Sequence, residues 1–124
     1  MAGFVQLLLP ERCVRILVED NAPVIVSTTA ASEELLSRIA NTLVEKQLAA
    51  CCQISGPIKS IYRWDGKVES SAEHICSIKT TSKHVSAITE TIREIHSYDE
   101  PEIVVTPIVG GSDSYLNWIS DSVS

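Results

Sequence analysis

From Pro23 onward the chain alternates between two hydrophobic rhythms. Val24, Ile25 and Val26 form a short β-branched run bounded by Ser27, Thr28 and Thr29, which predicts a buried first strand. The period then changes. Ser32 followed by Glu33 and Glu34 reads as a helix start, because a serine oxygen caps free backbone N–H groups and carboxylates oppose the positive end of the helix dipole. Leu35, Leu36, Ile39, Ala40, Leu43 and Val44 follow at helical spacing, giving one amphipathic helix to about Gln47.

A β-rich stretch runs from Ala49 to Trp64 and is interrupted at Gly56 and Pro57, where proline removes a ladder donor and glycine permits a bulge. Asp65-Gly66 supplies the backbone freedom of a tight turn, so a returning strand from Lys67 to Thr80 pairs antiparallel with the first arm. Both arms exceed the usual strand of about five or six residues. Val85, Ile88, Ile92 and Ile95 then mark a second helix, with Lys83, Glu90, Arg93 and Glu94 on its other side. Tyr98 to Pro101 breaks that helix, Ile103 to Ile108 reads as a strand, and Gly110-Gly111 precedes a short helix capped by Asp113 or Ser114.

The order βαββαβ plus a terminal helix folds most economically as an α+β, ferredoxin-like sandwich, with both main helices on one face of a four-stranded antiparallel sheet. Its long hairpin, between the second and third strands, extends past a sheet of this size. Unpaired strand edges invite pairing, so oligomerisation through the hairpin is expected. Residues 1–22 are read as an N-terminal extension in which Val14, Ile16 and Val18 alternate as an extra strand, and residues 23–124 as the single domain. No internal repeat, low-complexity tract or interior linker divides it.

Charge and composition narrow the partners. Ten basic against sixteen acidic residues, a net charge of -6, provide no footprint for phosphate backbones or anionic membranes. Phe4 to Leu9 is apolar but too short to span a bilayer, and no Lys or Arg precedes Arg12 as an export signal requires. Cys13, Cys51, Cys52 and Cys76 lack zinc-type spacing, which favours a reduced, cytoplasmic protein with cysteines as small buried hydrophobes. Aromatics are scarce at 5%, so aliphatic side chains must fill most of the core. Catalytic patterns are absent: no Gly-rich phosphate loop, His-Glu-x-x-His motif or serine elbow occurs, and a non-enzymatic role is expected.

Several ordered blocks resemble the CutA family, named for its link to divalent cation tolerance, over nearly everything from Pro23 to Val123. They include Leu43-Val44-Glu45, Leu48-Ala49-Ala50-Cys51, Ser60 to Lys67 (Ser-Ile-Tyr-Arg-Trp-Asp-Gly-Lys) and Ile78-Lys79-Thr80. His96-Ser97-Tyr98, Pro101-Glu102-Ile103, Pro107-Ile108 and Tyr115 to Ile119 complete the set. The resemblance implies a homotrimer whose sheets pack around a central axis and whose hairpins join neighbours, with the general architecture of PII-type signalling proteins. It also implies a divalent metal ion, Cu(II) first, as ligand, with no cofactor required.

His96 is the candidate metal residue, since imidazole suits Cu(II), Zn(II) and Ni(II) and Cu(II) leads the intrinsic affinity order. Against the pattern of copper-binding bacterial relatives, Ser27 stands in place of a cysteine, Ile95 in place of a histidine and Ser97 in place of a proline. A hydrogen-bonded structural histidine is the competing reading. His84 and His74 have weaker claims. Trp64, Glu73, Lys79, Tyr98 and Glu102 are candidates to line a cleft between subunits, where an aromatic wall and convergent charges suit a small molecule or protein partner, or else anchor the assembly. Two functions therefore compete: a trimeric metal-binding protein of divalent-cation tolerance, and a trimeric signalling or scaffold module.

Overall fold

The computed structural model of the chain describes residues 4–7, 16–19 and 21–124. Two short strands in the extension, β1 (Phe4–Leu7) and β2 (Ile16–Glu19), pair antiparallel as a separate sheet. The alternation at Ile16 and Val18 predicts the second of these, and Val14 lies outside the described residues. Phe4–Leu7 carries no alternation to announce it.

The main sheet contains β3 (Pro23–Ala30), β4 (Cys51–Trp64), β5 (Lys67–Thr81) and β6 (Val104–Pro107). Its order is β4-β5-β3-β6 with every neighbouring pair antiparallel, the arrangement expected from two split β-α-β units. Helices α1 (Glu33–Glu45) and α2 (Val85–Ile95) follow β3 and β5, and α3 (Asp113–Ser122) closes the chain. Between β5 and α2 the backbone makes one 3-10 turn at Ser82–His84.

Local chemistry sets the ends of these elements. The Ser32 hydroxyl accepts from Leu35 N–H at 3.2 Å, as a capping serine should. Helix α1 stops two residues short of Gln47, which takes the left-handed conformation at φ 59° and turns the chain toward β4. For α3 the cap is Ser112, whose hydroxyl accepts from Tyr115 N–H at 3.3 Å, and not Asp113 or Ser114. Those two residues already lie inside the helix, where Asp113 opposes the dipole from the first turn.

One face of the sheet is dry. Alternate residues Val24, Val26 and Ala30 of β3 share it with Cys76 and Ile78 of β5, and Leu36, Ile39 and Leu43 of α1 with Val85, Ile88 and Ile92 of α2 close over them. Truncating one of these fully buried Leu or Ile side chains to alanine costs about 2–5 kcal/mol.

The hairpin is continuous from Cys51 to Thr81 and turns at Asp65 (φ 52°) and Gly66 (φ 75°), the paired positive φ values of a two-residue hairpin loop. At Gly56 and Pro57, joined by a cis peptide, the register slips: Ser55 faces Ile75, but Ile58 faces Glu73. One extra residue on β4 is thereby absorbed in a bulge. Gly56 is required there, since its φ is +144° and a Cβ would stand 2.6 Å from the His74 ring. Beyond the bulge the two arms leave the body of the domain with Ile61, Trp64 and Val68 between 66% and 70% exposed.

Candidate functional site

The candidate site forms where α2 ends, and an interrupted β-ladder explains why. Strand β6 pairs with β3 only from Val24 to Ser27. On that edge Pro23 O still receives Ile108 N–H at 3.1 Å, but Thr29 lies past the opposite end of β6. Its buried carbonyl needs a donor from elsewhere. His96 provides one. Its backbone N–H closes α2 on Ile92 O at 2.8 Å, and its ring Nε2 donates to Thr29 O at 2.7 Å.

The second ring nitrogen is also engaged: Tyr98 N–H donates to Nδ1 at 3.1 Å. Because a carbonyl only accepts and an N–H only donates, these partners define the neutral tautomer with its proton on Nε2. The Tyr98 ring lies against the imidazole with centroids 4.6 Å apart, and its hydroxyl donates to Glu73 Oε2 at 3.0 Å. Burial first, then the hydrogen bond and charge of Glu73, push the Tyr98 hydroxyl above its ordinary pKa of 10.0, and Tyr62 on the hairpin acts in the same direction. A cavity of about 240 Å³ opens beside this chain of contacts, lined by Arg93, His96, Ser97, Tyr98, Asp99 and Pro101. Arg93 reaches Glu100 only at 3.8 Å.

Of the residues singled out from the sequence, three therefore meet: His96, Tyr98 and Glu73. Trp64 sits at the hairpin tip, 69% exposed. Lys79 belongs to another place, donating to the Tyr115 hydroxyl of α3 at 3.2 Å, an interaction that raises its pKa. Glu102 is exposed before β6. Thr29 and Arg93 were not foreseen; a backbone carbonyl distant in sequence from its partner leaves no side-chain signal, and Arg93 reads as an ordinary polar position on α2.

His84 and His74 stand apart from this group. His84 is buried, its Nε2 has no hydrogen-bond partner among the described residues, and burial followed by the Lys83 charge lowers its pKa. His74 packs over the Gly56 bulge.

Metal chemistry can be tested against this geometry. A metal on His96 requires a ring lone pair, yet Nε2 carries the proton given to Thr29 and the Nδ1 lone pair receives Tyr98 N–H. Among the described residues no group of three or more His, Cys, Asp and Glu is placed to hold a metal ion. The donors of one chain at this turn do not fit a resident metal, and the arrangement is that of a structural histidine completing a ladder.

An antiparallel four-stranded sheet under two helices, a hairpin arm projecting beyond it and a histidine-tyrosine turn at its flank together define a class of small α+β proteins. Residues 24–122 match the family described as CutA1 divalent ion tolerance protein. The chain belongs to that family. It is 40% identical over 99 residues to Protein CutA, chloroplastic, of Arabidopsis thaliana, covering 80% of this chain and 54% of that protein. To the divalent-cation tolerance protein CutA of Thermus thermophilus it is 40% identical over 98 residues, covering 79% and 95%. The chain thus spans little more than half the length of the plant relatives it matches, at 54% and 56%.

Solved structures agree in fold. The Thermus thermophilus divalent cation tolerance protein superposes with a TM-score of 0.80 at 38% identity, over 82% of this chain and 99% of that one. CutA1 from Oryza sativa gives 0.79 at 37% identity, over 84% and 96%.

Proposed function

We propose that the protein works in divalent-cation tolerance as a non-enzymatic homotrimer, and that any ion it handles at this turn is met at a boundary between subunits and not on His96 within one chain. Family membership supports the cation link. The observation that carries the rest is the commitment of both His96 nitrogens to Thr29 and Tyr98. The trimer is supported by the apolar arm: Ile61, Tyr62, Trp64 and Val68 are all exposed on one hairpin, a surface that association would cover. Cu(II) is the first ion to test, and the cytoplasm the proposed location, where the thiols of Cys51, Cys52 and Cys76 stay free.

Light scattering should give three times the 13.5 kDa chain mass at dilute concentration. Calorimetric titration with Cu(II) should then give the same binding for the native protein and for His96→Ala. Loss of binding in that variant with unchanged stability would remove the proposal, as would a monomer.

One observation favours a second reading. The cavity of about 240 Å³ bounded by Arg93 and Tyr98 suits a small polar molecule, as in a signalling or scaffold trimer. A thermal-shift screen of metabolites against metal ions separates the two, because a ligand that binds only the folded state raises its apparent stability. A screen in which metals alone shift the protein disposes of the cleft ligand.

A further inference from the structure

Two thiols on the dry face of the sheet stand side by side, away from the histidine turn. Cys52 faces Ile78 and Ile54 faces Cys76, so the two cysteines are diagonal neighbours on one face of adjacent strands. Each thiol stands close enough to bear on the other's protonation. Cys76 is fully buried in the core cluster, and Cys52 is half-buried against it. Cys51, one residue earlier, points to the opposite face beside Lys79.

We propose that Cys52 and Cys76 form a two-thiolate site for a soft cation that takes two ligands in a line, Cu(I) and Hg(II) being ions of that chemistry. Ligand type selects the ion first, because thiolates favour soft metals over those that prefer carboxylate and water. Ligand number selects it again: no group of three or more ligating residues occurs among the described residues, whereas structural zinc takes four and calcium six to eight.

Span is compatible. Diagonal neighbours on adjacent strands stand about 7–8 Å apart at the backbone, and two cysteine side chains turned toward each other close that gap to the roughly 4.6 Å that two metal–thiolate bonds of about 2.3 Å bridge. Charge ranks the ions. Two thiolates around a divalent ion leave no net charge in an apolar cluster, and around Cu(I) they leave one negative charge, so burial disfavours the second more. The reaction is a ligand exchange without redox change. Each S–H bond breaks as an S–metal bond forms, and two protons pass to solvent per ion, with half-exposed Cys52 receiving the ion and Cys76 completing the pair. This site is independent of the subunit-boundary reading above and of His96.

The test uses the full chain carrying Cys13→Ser and Cys51→Ser, which leaves only the pair. Under anaerobic conditions, Cu(I) held by a chromophoric chelator and, in parallel, Hg(II) are titrated in, with metal bound and protons released both measured. The expected result is one equivalent per chain for at least one ion, with two protons released, and loss of that equivalent in Cys52→Ala and in Cys76→Val. The valine keeps the core filled, and half-buried Cys52→Ala is the milder change, so one variant remains readable if the other unfolds. Binding of neither ion by the background protein, or an equivalent retained in Cys52→Ala, overturns the site.

Discussion

Replacing His96 by alanine should cost stability before it costs any ligand. The ring supplies a donor to the Thr29 carbonyl, which is buried beyond the end of β6, and an acceptor to Tyr98 N–H, which is partly open to the cavity. A hydrogen bond is worth about 1 kcal/mol net, and a buried polar group left without a partner costs about 1–3 kcal/mol. Water can enter beside Tyr98 N–H but not readily at Thr29, so the sum is about 2–4 kcal/mol. With a urea dependence of about 2 kcal/mol per molar, the midpoint should fall by roughly 1–2 M.

Two conservative replacements separate the halves of the interaction. Glutamine places an amide near the position of Nε2 and should restore the donor to Thr29, whereas asparagine places its carbonyl near Nδ1 and should restore only the acceptor for Tyr98. The expected stability order is native, His96→Gln, His96→Asn, His96→Ala. Urea unfolding followed by circular dichroism at one fixed chain concentration reads that order. A loss below about 0.5 kcal/mol for alanine, or equal losses for glutamine and alanine, would refute the claim that the imidazole completes the ladder.

Other consequences are as definite. Tyr98→Phe and Glu73→Ala should couple by about 1–2 kcal/mol in a double-mutant cycle, since the hydroxyl donates to a buried carboxylate, and near-additivity would show the bond to be idle. Because folding raises the Tyr98 pKa, the stabilisation from its neutral hydroxyl is fully present below the ordinary value of 10.0 and is lost as the pH climbs above it; Tyr98→Phe should flatten that alkaline decline. His84 carries the opposite sign. Its folded pKa is depressed, so its contribution is present above the ordinary 6.5 and lost as pH falls through the folded value, and His84→Leu should shallow the acid limb of a stability–pH curve. Gly56→Ala should cost about 2–4 kcal/mol, from a φ of +144° and a Cβ 2.6 Å from the His74 ring; a neutral result in urea would mean that the bulge can move.

Much of this was legible before the structure because the informative residues speak locally. Ser32 and the period after it announce α1, Asp65-Gly66 announces the turn, and Gly56-Pro57 announces the bulge. Errors fell where local signals compete: Ser112, Asp113 and Ser114 are all capping types, and only geometry chooses Ser112. The site was less legible. His96 and Tyr98 drew notice as residue types, but what occupies His96 is the Thr29 carbonyl, 67 positions away in the chain. The cleft set scattered for a related reason, since Trp64 and Lys79 lie on different parts of the hairpin, and membership in one motif-rich stretch does not bring side chains together. The Cys52–Cys76 pairing needed the register between strands, which a single sequence does not state.

The bulge at Gly56 limits how the hairpin can change over time. Because β4 gains one residue there while β5 gains none, Ile54 shares a face with buried Cys76 but Ile58 shares one with Glu73, on the other side of β5. Everything distal inherits that inversion. Adding or removing one residue on a single arm would turn the outer apolar row over and present Tyr62 and Trp64 to the wrong side. Only matched changes of two residues per strand preserve their aim, so the reach of this arm varies in steps of about 7 Å, twice the rise of roughly 3.4 Å per residue. The reach of the hairpin is therefore graded like a ratchet, in whole notches.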